Sequence, residues 1–239
     1  TNIYLKEGTM QDIVLIINII LTIRTSIILP TFNRTKFEKL IEYNINIQDY
    51  YNITEILIGD DSDIDEPLRL NIKYPIHYYK LQRCSIGAKR DFLINQATGR
   101  YVINFDTDDF YLPNYVSTSV FTLIFNNKKA CGSANMILTN GKQYYKQRCV
   151  NLHLINEGTL IMERDWYLNS GLYLNQSHSE ASYLLLKNIK HICETDTSLM
   201  CCYSHKENTI DKKVWEKDNY KHETNQFKKH LKLLSTLNI

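Results

Sequence analysis

From Thr25 onward the chain alternates short runs rich in Ile, Leu and Val with amphipathic stretches of helical spacing. That alternation commits it to βαβ units wound around a parallel sheet. Residues 26–29 read as a first strand, which Pro30 is expected to stop. Residues 35–45 put Phe37, Leu40 and Ile41 on one helical face. Strands are predicted at 55–59 and 76–79, a helix at 87–97 ended by Gly99, and a buried strand at 101–105. Every polar cluster in this half falls at the carboxyl end of a strand, the edge where open α/β sheets bind ligands.

The last of these strands delivers Asp106-Thr107-Asp108-Asp109. Three carboxylates crowded at the end of an apolar run repel one another and lose solvation, so a cation is the natural counterweight. Residues two apart on an extended backbone point the same way, which lets Asp106 and Asp108 share one site. Oxygen ligands with no cysteine nearby favour Mg2+ or Mn2+, ions that complete their coordination with substrate phosphates. A phosphorylated substrate is expected.

The second half is less regular. Residues 114–126 read as a helix, 131–150 as two extended runs about the hairpin signal Asn140-Gly141, 158–162 as a strand and 178–189 as a helix. The last 25 or so residues are polar and Lys-rich, a surface helix or tail. Residues 13–23 form the one long apolar run, shorter than the ~17 residues of a membrane span. No transmembrane segment is expected there, but a helix or strand packed on the domain, or a contact in a homo-oligomer. The organisation predicted is an apolar segment or linker at 1–24, one domain at 25–210 with a ligand-binding half at 25–115 and a second half at 116–210, and a polar tail at 211–239.

Net charge of +2 gives no electrostatic footprint for nucleic acid, which is excluded as a partner. The six cysteines show no paired CxxC spacing, so reduced thiols and a reducing, cytoplasmic compartment are expected. His191, Cys193, Cys201, Cys202 and His205 match no common zinc pattern.

Four segments, SIILPTFNR (26–34), EILIGDDSD (55–63), GAKRDFLINQATGRYV (87–102) and NFDTDDFYLP (104–113), together resemble the nucleotide-sugar-binding half of a family 2 glycosyltransferase. The resemblance covers roughly Ser26 to Tyr115; more faintly, the remainder is similar to glycosyltransferases encoded by large DNA viruses, whose site of action is the host cytoplasm. It implies a GT-A fold, an α/β single domain with a Rossmann-like mixed sheet flanked by helices. It also implies an inverting, metal-dependent enzyme that moves a hexose from a UDP-sugar, UDP-glucose first, to a glycan or glycosylated protein, collagen-like hydroxylysine included.

Within that resemblance Pro30 and Thr31 line the uridine pocket and Asp61 accepts the uracil imide N–H, a bond that cytosine's N3 cannot offer. Arg83 and Arg90 meet the donor near the helix that opens at Gly87, and Asp106 meets ribose or a bridging water. Lys89 reads equally well as a solvated surface side chain, and Asp91 stands where the family has Asn. The metal, Mn2+ or Mg2+, falls to Asp108, with Asp109 able to take either aspartate's part and His205 as a late imidazole ligand. Glu180, which opens an apolar helical run, is the candidate base, with Glu157 and Glu163 in reserve. Trp166 and Tyr173 are either an acceptor platform or core aromatics. The alternatives are a sugar-phosphate nucleotidyltransferase, which lacks here the Gly-rich loop it should carry after the first strand, and a non-catalytic glycan-binding module on the same scaffold.

Overall fold

The structure is a computed structural model that describes residues 22–63, 66–148, 155–195 and 199–209. The apolar run at 13–23 lies almost wholly outside the described residues, as do Cys149 and the polar tail. The helix predicted at 35–45 starts as a 3-10 turn, Thr35–Phe37, and continues as α1, Glu38–Asn46. Around it the first half forms β1 (Thr25–Thr31), β2 (Ile53–Asp60), β3 (Ile76–Lys80), α2 (Ile86–Gln96) and β4 (Tyr101–Asn104). The second half adds β5 (Phe110–Tyr111), α3 (Tyr115–Phe125), β6 (Ala130–Gly132), β7 (Asn135–Thr139), β8 (Tyr144–Arg148) and β9 (Ile161–Glu163). It ends with α4 (Arg164–Ser170), α5 (Ser182–Lys187), β10 (Ile192–Glu194) and β11 (Met200–Tyr203).

The main sheet has the order β10-β6-β9-β4-β1-β2-β3. Strands β1 to β4 are mutually parallel, and β9 runs antiparallel between β4 and β6, so the sheet is mixed. Alternation along β1 divides the interior. Ile27 and Leu29 join Phe37, Leu40 and Ile41 in one core, while Ile28 joins Leu93 and Ile94 of α2 in another on the opposite face. A strand buried on both faces reads as an unbroken apolar run.

Pro30 does not stop β1, contrary to expectation: it pairs with Gly59 and Thr31 with Asp60. The reason lies in parity. The Ile28 carbonyl accepts from Phe105 N–H on the β4 side, and Pro30, two residues on, turns its nitrogen to that same side. There β4 has already ended, at Asn104 opposite Ile28, so the missing N–H removes no ladder bond.

Other boundaries shift for local reasons. The run at 131–150 divides between β6 in the main sheet and the β7–β8 hairpin of a second sheet, ordered β5-β11-β7-β8, with Gly141 turning at φ 86°. The predicted strand at 158–162 is a 3-10 turn, Glu157–Thr159, followed by β9. The predicted helix at 178–189 shrinks to α5, because residues 174–181 are held as a loop on the amino end of α2. Gly87 N–H donates to Gln176 O at 3.0 Å, and a Cβ on Gly87 would fall 2.0 Å from the Leu174 carbonyl oxygen. Tyr173 is a buried member of the second core, and the half-buried Trp166 packs against it. Cys84, Cys131, Cys193, Cys201 and Cys202 form no disulfide. No helix among the described residues is long and apolar enough to cross a membrane.

Asp91 on α2 accepts from Tyr173 N–H at 3.0 Å, and burial pushes its carboxyl up to about 6. The folded state thus keeps a proton that the unfolded chain releases between pH ~4 and ~6, and stability declines as pH rises through that window. Asp91→Asn retains the acceptor without the charge. It should raise stability by ~1–2 kcal/mol at pH 7.5 and by nothing at pH 4, as thermal melts at the two pH values would reveal.

Candidate active site

Where β1, β2 and β4 end, the chain opens a cleft of about 980 Å³. The end of β1 contributes Pro30 and Thr31, the end of β4 contributes Asp106 to Asp109, and α2 contributes Lys89 and Arg90, with Arg83 just before it. From the second half come Glu157, the loop 177–180 and residues 207–209.

The two aspartates at the end of β2, Asp60 within it and Asp61 just after, have different work. Asp60 accepts from Ser62 N–H at 2.8 Å and from the Tyr78 hydroxyl, and so closes its own turn. Asp61 turns to cations. It is paired with Lys89, and its Oδ2 accepts from Arg83 at 3.2 Å and from Cys84 N–H at 3.0 Å. Lys89 also donates to Thr31 O at 2.9 Å and is only 3% exposed, which corrects the solvated reading of that side chain. Burial lowers the Lys89 ammonium from its ordinary value, and Asp61 works against that shift. Beside them Thr31 Oγ1 and Asn33 Oδ1 are buried without a hydrogen-bond partner. Orphaned acceptors at the lip of a cleft are what a polar ligand would satisfy.

Deeper in, Arg90 is buried between two carboxylates. One arm of the guanidinium pairs with Glu180 and the other meets Asp106 at 2.7 Å. Burial alone would disfavour the Arg90 charge; Asp106, with Tyr173, Glu157 and Tyr111 behind it, more than offsets this and holds the guanidinium above its ordinary value. Glu180 is itself buried, and its carbonyl accepts from Leu174 N–H at 2.8 Å, which fixes the loop that carries it. Asp106 is set from behind: its N–H donates to the Tyr111 hydroxyl at 2.7 Å, which donates to Gly158 O at 3.0 Å. Of the reserve acids, Glu157 lines the cleft, its carboxyl raised by burial and partly brought back by Arg90. Glu163 lies at the opposite end of β4, level with Tyr101 and paired with Lys129. It does not join the site.

The second sheet supplies the third side. Strand β11 pairs with β5 and sends the loop 204–209 over Asp108. There His205 Nε2 lies 2.8 Å from Asp108 Oδ2, Arg34 3.3 Å and Asn208 Nδ2 3.3 Å. Asp109 stands apart from this pair: its Oδ1 accepts from Tyr203 N–H at 2.9 Å, a bond that ties the acidic loop to β11. Among the described residues no three His, Cys, Asp or Glu side chains gather as a metal site, and the His191 and cysteine set does not assemble. Asp108 and His205 are the side chains here that could hold a cation, and Arg34 is the cation that meets Asp108 in this structure. Sequence reasoning assigned no role to Arg34 and Asn208. Arg34 sits inside the first motif, where its charge is a signal; Asn208 is reachable only through the pairing of β11.

Residues 26–182 match a family model described as glycosyl transferase family 2. A search of curated proteins finds no match. Among solved structures the chain is similar to S. aureus TarS 1-349 in complex with UDP-GlcNAc, with a TM-score of 0.60 and 18% identity over 77% of this chain and 60% of that one. It is also similar to the mannosyltransferase PcManGT from Pyrobaculum calidifontis in complex with GDP-Man and Mn2+, with a TM-score of 0.57 and 14% identity over 92% of this chain and 71% of that one. At these identities the likeness is one of fold, and the chain spans about 60% of the TarS 1-349 structures and 36% of the longer TarS structure it matches.

Lys89 is thus a buried counter-ion to Asp61. Replacing it with Met leaves Asp61 with Cys84 N–H and the 61% exposed Arg83 as partners and should cost ~1–3 kcal/mol. Adding Asp61→Asn should recover much of the loss, and a double-mutant cycle by denaturant melts measures the coupling.

Proposed function

The chain belongs to glycosyl transferase family 2 and has the GT-A fold; from that premise we propose that it transfers a hexose from a uridine diphosphate sugar, UDP-glucose first, to a hydroxyl of a glycan or glycosylated protein, with inversion at the anomeric carbon. A sugar-bearing hydroxylysine is the first protein acceptor to try. The observation that carries this reading is the Glu180–Arg90–Asp106 bridge. One guanidinium ties the candidate base to the aspartate that follows β4, so proton acceptor and donor-side carboxylate are set at a fixed separation before substrate arrives.

The roles are assigned from the family resemblance, with placement in or beside the cleft as support. Pro30, Thr31 and Asp61 receive the nucleoside, with Arg83 at the mouth of that corner. Asp106, oriented by Arg90 and Tyr111, takes the ribose or a water. Asp108 and His205 hold the divalent ion, Mn2+ or Mg2+, with Asp109 bracing the loop behind them. When bound, that ion neutralises the charge that develops on the departing nucleoside diphosphate. Glu180 accepts the proton of the attacking hydroxyl. A buried carboxylate persists as an ion only when paired, and Arg90 is its pair. Arg90 therefore reaches the donor through Asp106, its own two arms being engaged by protein carboxylates.

Glu180→Gln should lower kcat for sugar transfer by ~10²- to 10⁴-fold and leave UDP affinity within about twofold. Asp108→Ala should abolish the stabilisation that Mn2+ plus UDP gives in thermal shift, and transfer with it. Full Mn2+-dependent transfer by Asp108→Ala would remove the metal assignment. UDP release that needs an added acceptor separates a transferase from a binding module, which releases none.

A further inference from the structure

One side chain at the mouth of the cleft is arranged like a ligand. The Arg83 guanidinium carbon lies over the Phe32 ring, 3.5 Å from its centroid, while its NH1 donates to Asp61 Oδ2 at 3.2 Å. The side chain is 61% exposed, whereas that of Asp61 is fully covered. A planar, delocalised group set over an aromatic ring and donating an N–H to a carboxylate makes the two contacts that a uracil or guanine ring makes. The unpartnered Thr31 Oγ1 and Asn33 Oδ1 border the same corner, so polar atoms there await partners that Arg83 does not supply.

We infer that Arg83 is an internal mimic of the nucleobase: it occupies the base position on Phe32 and Asp61, and the donor enters by displacing it. The inference rests on the donor reading given above and adds to it a competition. Lys89 and Cys84 N–H remain on Asp61 when Arg83 leaves, so the carboxylate keeps a cation throughout. The displaced guanidinium, on its flexible stem at the rim, is then free to meet the donor's phosphates. Selectivity follows from the exchange. Only a base with a ring N–H, an imide or lactam, can take over the hydrogen bond that the guanidinium gives up; the acceptor N3 of cytosine would instead face Asp61 and be refused.

Uridine without phosphate is the discriminating probe, because it gains nothing from a cation and meets only the base corner. Arg83→Ala should bind uridine about three- to tenfold more tightly than wild type, the range set by losing one cation–π contact and an exposed ion pair from the competing state. Arg83→Met, which keeps most of the stem, should do the same and stands in should the alanine variant fold poorly. Wild-type affinity for this neutral ligand should rise between ~0.02 and ~0.5 M salt as the Arg83–Asp61 pair is screened, while the variants stay flat. Phe32→Ala should weaken uridine binding in both backgrounds. Binding of uridine by both Arg83 variants at wild-type strength or weaker would overturn the inference. Failure of the donor reading itself looks different: neither UDP nor GDP would then raise the melting temperature of the wild-type protein.

Discussion

The buried guanidinium of Arg90 is the contact on which the rest of the site depends. It lies beneath the cleft, 2% exposed, with Glu180 on one arm and Asp106 on the other, and those carboxylates come from opposite halves of the chain. Arg90 and Glu180 are removed from water while Asp106 keeps a 29% exposed side chain, and losing the guanidinium would leave two acids without their shared cation. The loop at 174–181 and the acidic loop after β4 are therefore positioned against one another through a single side chain, and the Tyr111 hydroxyl joins the turn that carries Gly158 to the latter. The chemistry proposed here draws on all three.

How much of this was legible beforehand depended on the range of the interaction. The strands β1, β2 and β4 announce themselves because a strand buried on both faces must be apolar throughout, and the acidic run after Phe105 is conspicuous because charge at the end of such a strand demands a reason. Asp61, Asp106 and Asp108 could thus be singled out from local pattern and family resemblance. Lys89 could not be separated from a surface lysine, since nothing in a helical sequence says which cation will be enclosed; its burial is set by Thr31 and Asp61, 58 and 28 residues away. The two aspartates at the end of β2 are likewise alike in sequence. They divide their labour only because Tyr78, on the neighbouring strand, reaches one of them.

The second half was harder to read for a related reason. Its strands are short, its sheet mixes parallel and antiparallel neighbours, and the helix expected around residue 180 gives way to a loop. That loop exists because Gly87 admits the Leu174 carbonyl where any side chain would collide with it. A contact between a glycine on α2 and a carbonyl 87 residues later leaves no periodic trace. The same remoteness hid Asn208, which meets Asp108 by way of the pairing of β11 with β5 and β7.

Pro30 has a consequence beyond its place in β1. Its nitrogen faces the gap that opens where β4 stops, and a ring closed onto that nitrogen can never donate across it. Whatever length the acidic loop takes, β1 cannot donate another rung to β4 at this level, and the pairing of the two strands ends there. The β1–β4 ladder is thus capped at the lip of the cleft by the covalent structure of one imino acid.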